Sequence, residues 1–170
     1  MYRMIVAAKV RAAWRELQQR NYSAVIDQFA SSFEYRFVGD HALGGTRRAR
    51  ASQAAWFERL FRVFPSIDFT VRDVIVSGPP WRTRAAVLVD VLIPAERGYA
   101  PDEPEWRNEV IQVVELRWGR ITRITTMTDT QREIVLLERL AATGMAEAVA
   151  EPLSDSVAAA RDLVGGAQAA

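Results

Sequence analysis

WRNEVIQVVELRWGRITRITTMTD, residues 106–129, carries two runs of β-branched residues on either side of Gly119. Alternation sorts Trp106, Asn108, Val110, Gln112, Val114 and Leu116 onto one face of the first run, and Arg107, Glu109, Ile111, Val113, Glu115 and Arg117 onto the other. The first face is the better candidate for an interior. A turn at Trp118-Gly119-Arg120 folds the next strand, ending at Asp129, back antiparallel beside it. Two similar runs precede this pair, IDFTVRDVIVSG and TRAAVLVDVLI, parted by Gly78-Pro79-Pro80 and followed by a loop near 94–105.

Upstream the period changes from two to about 3.6. Val6, Val10, Ala13, Trp14 and Leu17 make one apolar stripe of a helix over 3–19, and Arg11, Arg15 and Glu16 its far face. Asn21 reads as the N-cap of a second helix carrying Tyr22, Val25, Ile26 and Phe29. FEYRFVG, residues 33–39, alternates as a half-buried strand with Phe33, Tyr35 and Phe37 inward. After the loop Gly39–Gly45, Thr46 reads as the cap of a third helix, rich in aromatic residues and ending at Pro65. Thr130 with Glu133 matches a capping box that opens a last helix through Leu136, Leu137 and Leu140 to Gly144.

Helices grouped before consecutive strands give an α+β fold, with a curved, mostly antiparallel sheet wrapped around the N-terminal helices. Residues 1–145 form the domain, and 146–170 an Ala-rich C-terminal extension, partly helical or disordered. In that extension Ser154 can cap one more short helix, and GGAQAA reads as disordered.

The chain has 170 residues, 49% hydrophobic and 25% charged, as an ordinary globular domain does. It lacks cysteine, which excludes disulfides, thiolate nucleophiles and Cys-ligated metals and fits a cytoplasmic, reducing setting. A net charge of +1 without blocks of one sign argues against nucleic acid as a partner. No apolar run approaches the roughly 18 residues of a membrane span. Lys9, Arg11 and Arg15 interrupt the N-terminus before a signal-peptide core develops.

This element order, with YSAVIDQFASSFEYRF, GGTRRARASQAAWFERLFRVFP and the closing RNEVIQVVELRWGRITRITTMTD, resembles the cone-shaped superfamily of nuclear transport factor 2 and ketosteroid isomerase. Within it the chain looks most like the SnoaL-like group, which includes polyketide cyclases. The resemblance covers about residues 3–145. It implies a cystatin-like cone around a small-molecule cavity, used by relatives for isomerisation, cyclisation, epoxide hydrolysis, dehydration or protein binding, and it implies homodimers. Ketosteroid isomerases carry their base aspartate after the first strand, near Phe37 here, and their oxyanion tyrosine on the first helix, near Ala13 and Trp14. Both groups are missing, so steroid isomerisation by that route is not expected.

Several residues are candidates for chemistry. Asp40 and His41, at a strand end, pair a carboxylate with an imidazole as an acid–base couple; a plain turn explains them equally. Asp129 ends the last strand where related cyclases place an acid or base, although a carboxylate beside a helix N-terminus is favourable in itself. Asn108 and Gln112 stand on the apolar face of their strand and can orient a substrate oxygen or serve as satisfied structural amides. Trp14, Tyr35, Trp56, Trp81 and Trp106 are candidates to line a cavity for an aromatic or polycyclic ligand, with Trp81 and Trp106 at its rim. Asp90 is expected outside. Gly44-Gly45-Thr46-Arg47-Arg48-Ala49-Arg50 can meet an anion, but a solvated basic turn is the simpler explanation.

The resulting expectation is a small-molecule enzyme without cofactor or metal, an isomerase, cyclase, hydratase or other lyase acting by acid–base catalysis. The alternative is a non-catalytic ligand-binding or dimeric interaction module. Convergence of two titratable groups on one open cavity discriminates between them.

Overall fold

The apolar stripe of the N-terminal helix, α1 (Tyr2–Gln18), is buried at Val6, Val10, Trp14 and Leu17, as its 3.6-residue period demands. The computed structural model describes residues 1–94 and 105–156. The loop expected near 94–105 and the final GGAQAA thus lie almost wholly outside the described residues. After α1 come α2 (Tyr22–Ile26), β1 (Phe29–Phe37), β2 (Gly45–Arg47), α3 (Arg50–Val63), β3 (Asp68–Ser77), β4 (Thr83–Pro94), β5 (Glu105–Arg117), β6 (Arg120–Thr128), α4 (Thr130–Ala142) and a 3-10 turn, Ala146–Val149. Among the described residues no helix is long and apolar enough to cross a membrane.

The six strands form one sheet in the order β2-β1-β6-β5-β4-β3, antiparallel throughout except for the β1–β6 pair. β5 and β6 join through a two-residue hairpin in which Trp118 (φ 51°) and Gly119 (φ 76°) both take positive φ, the conformation that matches strand twist. The expected antiparallel pairing of these strands is therefore present. So is the inward face of β5, with Trp106, Asn108, Val110, Gln112 and Val114 buried.

Three boundaries differ from the local sequence signals. Phe29 leaves the second helix to open β1, where it pairs with Ile121 and is 2% exposed. Gly45–Arg47 is a strand against β1 and α3 starts only at Arg50, so Thr46 is no cap. The cap comes from far away: the Asp155 carboxylate accepts hydrogen bonds from Arg48 N and Ala49 N (3.0 Å each) and from the Ser52 hydroxyl. On α4, finally, the capping residue is Asp129 rather than Thr130; its Oδ1 accepts from Arg132 N at 3.2 Å.

The solvated basic turn read for 44–50 holds for Arg48 and Arg50, which are exposed, but not for Arg47. Arg47 is fully buried, stacked over Tyr35 and Trp56 (5.3 and 5.0 Å to the ring centroids) and donating to the carbonyls of Gly44, Gly45 and Leu153. Arg59 likewise bonds the carbonyls of Ala42 and Glu151. Arg47 from β2 and Arg59 from α3 thus hold residues 151–153 to the domain, and Leu153 and Ala148 are buried with its core.

Candidate functional site

The inner faces of β1, β4, β5 and β6, with α1, α3 and the start of α4, surround a cavity of about 150 Å³. Its wall is aromatic and aliphatic: Trp14, Tyr35, Trp56 and Trp106 all line it, as expected of them. Trp81 does not. It is 57% exposed at the β3–β4 turn and packs against Trp118, 6.0 Å between ring centroids. Asp90 sits on the outer face in an ion pair with Arg72, 3.1 Å.

Asn108 and Gln112 face the cavity, with different partners. Asn108 is held by backbone at both ends: Nδ2 donates to Asp129 O, and Oδ1 accepts from Glu109 N and Asp129 N. It fastens the end of β6 to β5. Gln112 Nε2 donates to Thr126 Oγ1 (3.1 Å), whose hydroxyl donates to Tyr35 Oη (3.3 Å), giving a polar seam across the apolar wall. Burial drives the Tyr35 phenol above its ordinary pKa, so it is a neutral hydroxyl.

The aspartates expected in the site are absent from it. Asp129 is exposed, caps α4 and faces an outer groove with Asp68 and Arg107. The cause is a bulge: register shifts between Glu115 and Leu116, so that Ile121, Ile124, Thr126 and Thr128 line the cavity. Arg123 and Met127 are exposed, as is Asp129. Asp129 and Asn108 are neighbours, but through Asp129's backbone. Asp40 is exposed, and the His41 imidazole, though buried, lies outside the cavity wall.

The carboxyl that does line the cavity is Glu133, in the first turn of α4 and 4% exposed. Its Oε2 accepts a 2.6 Å bond from the Thr128 hydroxyl, and its Oε1 lies 3.9 Å from His41 Nδ1. Burial raises its pKa from 4.5 to about 7, the Thr128 bond opposing only in part. The capping-box pattern hid it. A better signal was available: Glu133 falls on the stripe Leu136, Leu137, Leu140, where a carboxylate has no surface reason to be. Among the described residues no group of three or more His, Asp or Glu side chains converges to hold a metal ion.

A sequence profile of the SnoaL-like domain matches residues 10–124. The chain belongs to the SnoaL-like family. Solved structures similar to this SnoaL-like chain share its fold at low identity. They include an NTF2-like protein of unknown function from Burkholderia pseudomallei, 19% identical with a TM-score of 0.61, the match covering 75% of this chain and 92% of that one. TerC, co-crystallised with polyporic acid, is 18% identical with a TM-score of 0.63, over 76% of this chain and 95% of that one. IdmH from Streptomyces antibioticus, proposed as a polyketide cyclase, is 15% identical with a TM-score of 0.59, over 78% and 95%. Among curated proteins no sequence matches.

Proposed function

We propose that this SnoaL-like protein is a cofactor-independent acid–base enzyme of the cyclase, isomerase or hydratase type, in which Glu133 moves a proton to or from a small, mainly apolar substrate. The supporting observation is the place of Glu133: a buried carboxyl on the wall of an otherwise apolar cavity, with a pKa of about 7 at which it serves as acid and as base. Tyr35, Thr126 and Gln112 supply hydroxyl and amide groups for a substrate carbonyl or enol oxygen. Trp14, Trp56 and Trp106 keep water out. A volume of about 150 Å³ suits a single ring or fused pair. That TerC was crystallised with polyporic acid supports a cyclic ligand.

Nitrobenzisoxazole tests the proposal without knowledge of the natural substrate. A base removes its ring C–H as the N–O bond breaks, releasing a coloured cyanophenolate. The wild type should turn it over at a rate rising through about pH 7, and Glu133→Gln should lose about 100-fold. Equal rates in both proteins, with ligand still bound, would leave a non-catalytic binding module.

We further propose a cytoplasmic homodimer formed through the outer sheet face. Ile111 and Met127 are exposed there and stand directly opposite each other on β5 and β6, and a chain without cysteine suits a reducing compartment. Light scattering that gives a monomer at high micromolar concentration rejects the dimer.

A further inference from the structure

Glu133 has a second neighbour, outside the cavity. His41 Nδ1 lies 3.9 Å from Glu133 Oε1, about 1 Å beyond a hydrogen bond, and both side chains are 5% exposed or less. Thr128 occupies Oε2, which leaves Oε1 to the imidazole. Both ring nitrogens are buried without a short, well-aligned hydrogen bond, and the Val38 backbone is close enough to favour the protonated ring. A buried polar atom without a full hydrogen bond costs about 1–3 kcal/mol, and a use at that position would account for such a cost.

The chain makes room for the ring. Gly39 has φ +132°, and a Cβ there would stand 2.2 Å from His41 Nε2; a Cβ on Gly44 would stand 2.0 Å from Gly39 O. Phe37 holds the imidazole edge-on, with ring centroids 5.6 Å apart. His41 also lines a second cleft, of about 290 Å³, with Asp40, Glu138 and residues 148–152. Glu133 lines the cavity and not the cleft, and His41 the cleft and not the cavity.

We propose that His41 is a proton relay between Glu133 and water in the second cleft, so that Glu133 is reset while the cavity is occupied. The relay rests on Glu133 as the acid–base group of the cavity. In the outward step protonated Glu133 gives its proton to Nδ1 while Nε2–H, buried against Gly39 in the resting structure, releases its own to a cleft water that reaches it when the ring swings outward. The products are a carboxylate, the Nδ1–H tautomer and hydronium; the reverse step reloads Glu133. The ring stays neutral, in keeping with burial, which lowers its pKa against weaker opposition from Val38 and Asp40. The titratable groups facing the pair are Tyr35 on the cavity side and Asp40, Glu138 and Glu151 on the cleft side.

His41 is the sole histidine, so its ring nitrogens can be followed in ¹⁵N-histidine-labelled protein without assignment. Between about pH 5 and 9 the wild-type ring should pass from the Nε2–H to the Nδ1–H tautomer in step with Glu133, because a carboxylic acid donates to Nδ1 and a carboxylate accepts from it. In Glu133→Gln one tautomer should persist. A constant tautomer in the wild type, or a change that survives in Glu133→Gln, overturns the relay. In folded His41→Gln, or His41→Phe if the first variant is unstable, proton exchange at the ¹³C-labelled Glu133 carboxyl should slow at least about 10-fold and recover with added imidazole. Exchange at the wild-type rate rejects the relay. A tautomer switch with unchanged nitrobenzisoxazole turnover in Glu133→Gln would reject the proposed function and leave the relay standing.

Discussion

Asp155 and Ser52, 103 residues apart, meet in a 2.5 Å hydrogen bond at the start of α3, where the same carboxylate accepts from Arg48 N and Ala49 N. The helix N-terminus on which Gln53 and Trp56 depend is thereby completed by the C-terminal segment. Asp155→Ala should cost about 1–2 kcal/mol and hasten proteolysis within residues 146–156, read by thermal unfolding and limited digestion. Burial alone would raise the Asp155 pKa, but Ser52 and the two amides pull it below 3.8. Its contribution is thus present above that value and should fade as pH falls through the lowered one.

Glu133 has the opposite sign. Its pKa rises on folding from 4.5 to about 7, so the folded state binds the extra proton. Its contribution is full below pH 4.5 and is lost as pH climbs through 7, by at most about 3 kcal/mol. Urea unfolding across that window should show the wild type weakening relative to Glu133→Gln. Parallel stability curves would reject the raised pKa.

Arg47 has no surface role to fall back on. Arg47→Ala should lose about 3–5 kcal/mol, since it leaves the carbonyls of Gly44 and Leu153 and the Gln53 Oε1 without their donor. Arg47→Lys should recover less than half, because one ammonium cannot reach the several acceptors that the planar fork spans. Equilibrium unfolding of the two variants measures both.

Gly39→Ala should destabilise by about 1–3 kcal/mol, through its positive φ and the displacement of His41. The His41 ring signals should shift in the same variant, while Gly119→Ala, with open space around the added methyl, should leave them unchanged.

Asp129→Asn keeps a capping side chain and should cost less than about 1 kcal/mol. Because the carboxylate faces away from the cavity, nitrobenzisoxazole turnover should stay within about twofold of the wild type. A large loss of turnover with intact folding would return Asp129 to the site.

Periodicity by itself determined the α+β order, the β5–β6 hairpin, the inward face carrying Asn108 and Gln112, and the aromatic wall of Trp14, Tyr35, Trp56 and Trp106. Those features are local: which side of a strand or helix a residue takes follows from its neighbours in the chain. Tertiary structure decided the rest. A single bulge opposite Glu115 and Leu116 turned Asp129 outward, a cap supplied by Asp155 moved the start of α3, and burial converted Glu133 from a capping residue into the carboxyl of the cavity. Long-range hydrogen bonds and desolvation act between residues far apart in sequence, and spacing along the chain does not encode which of them meet.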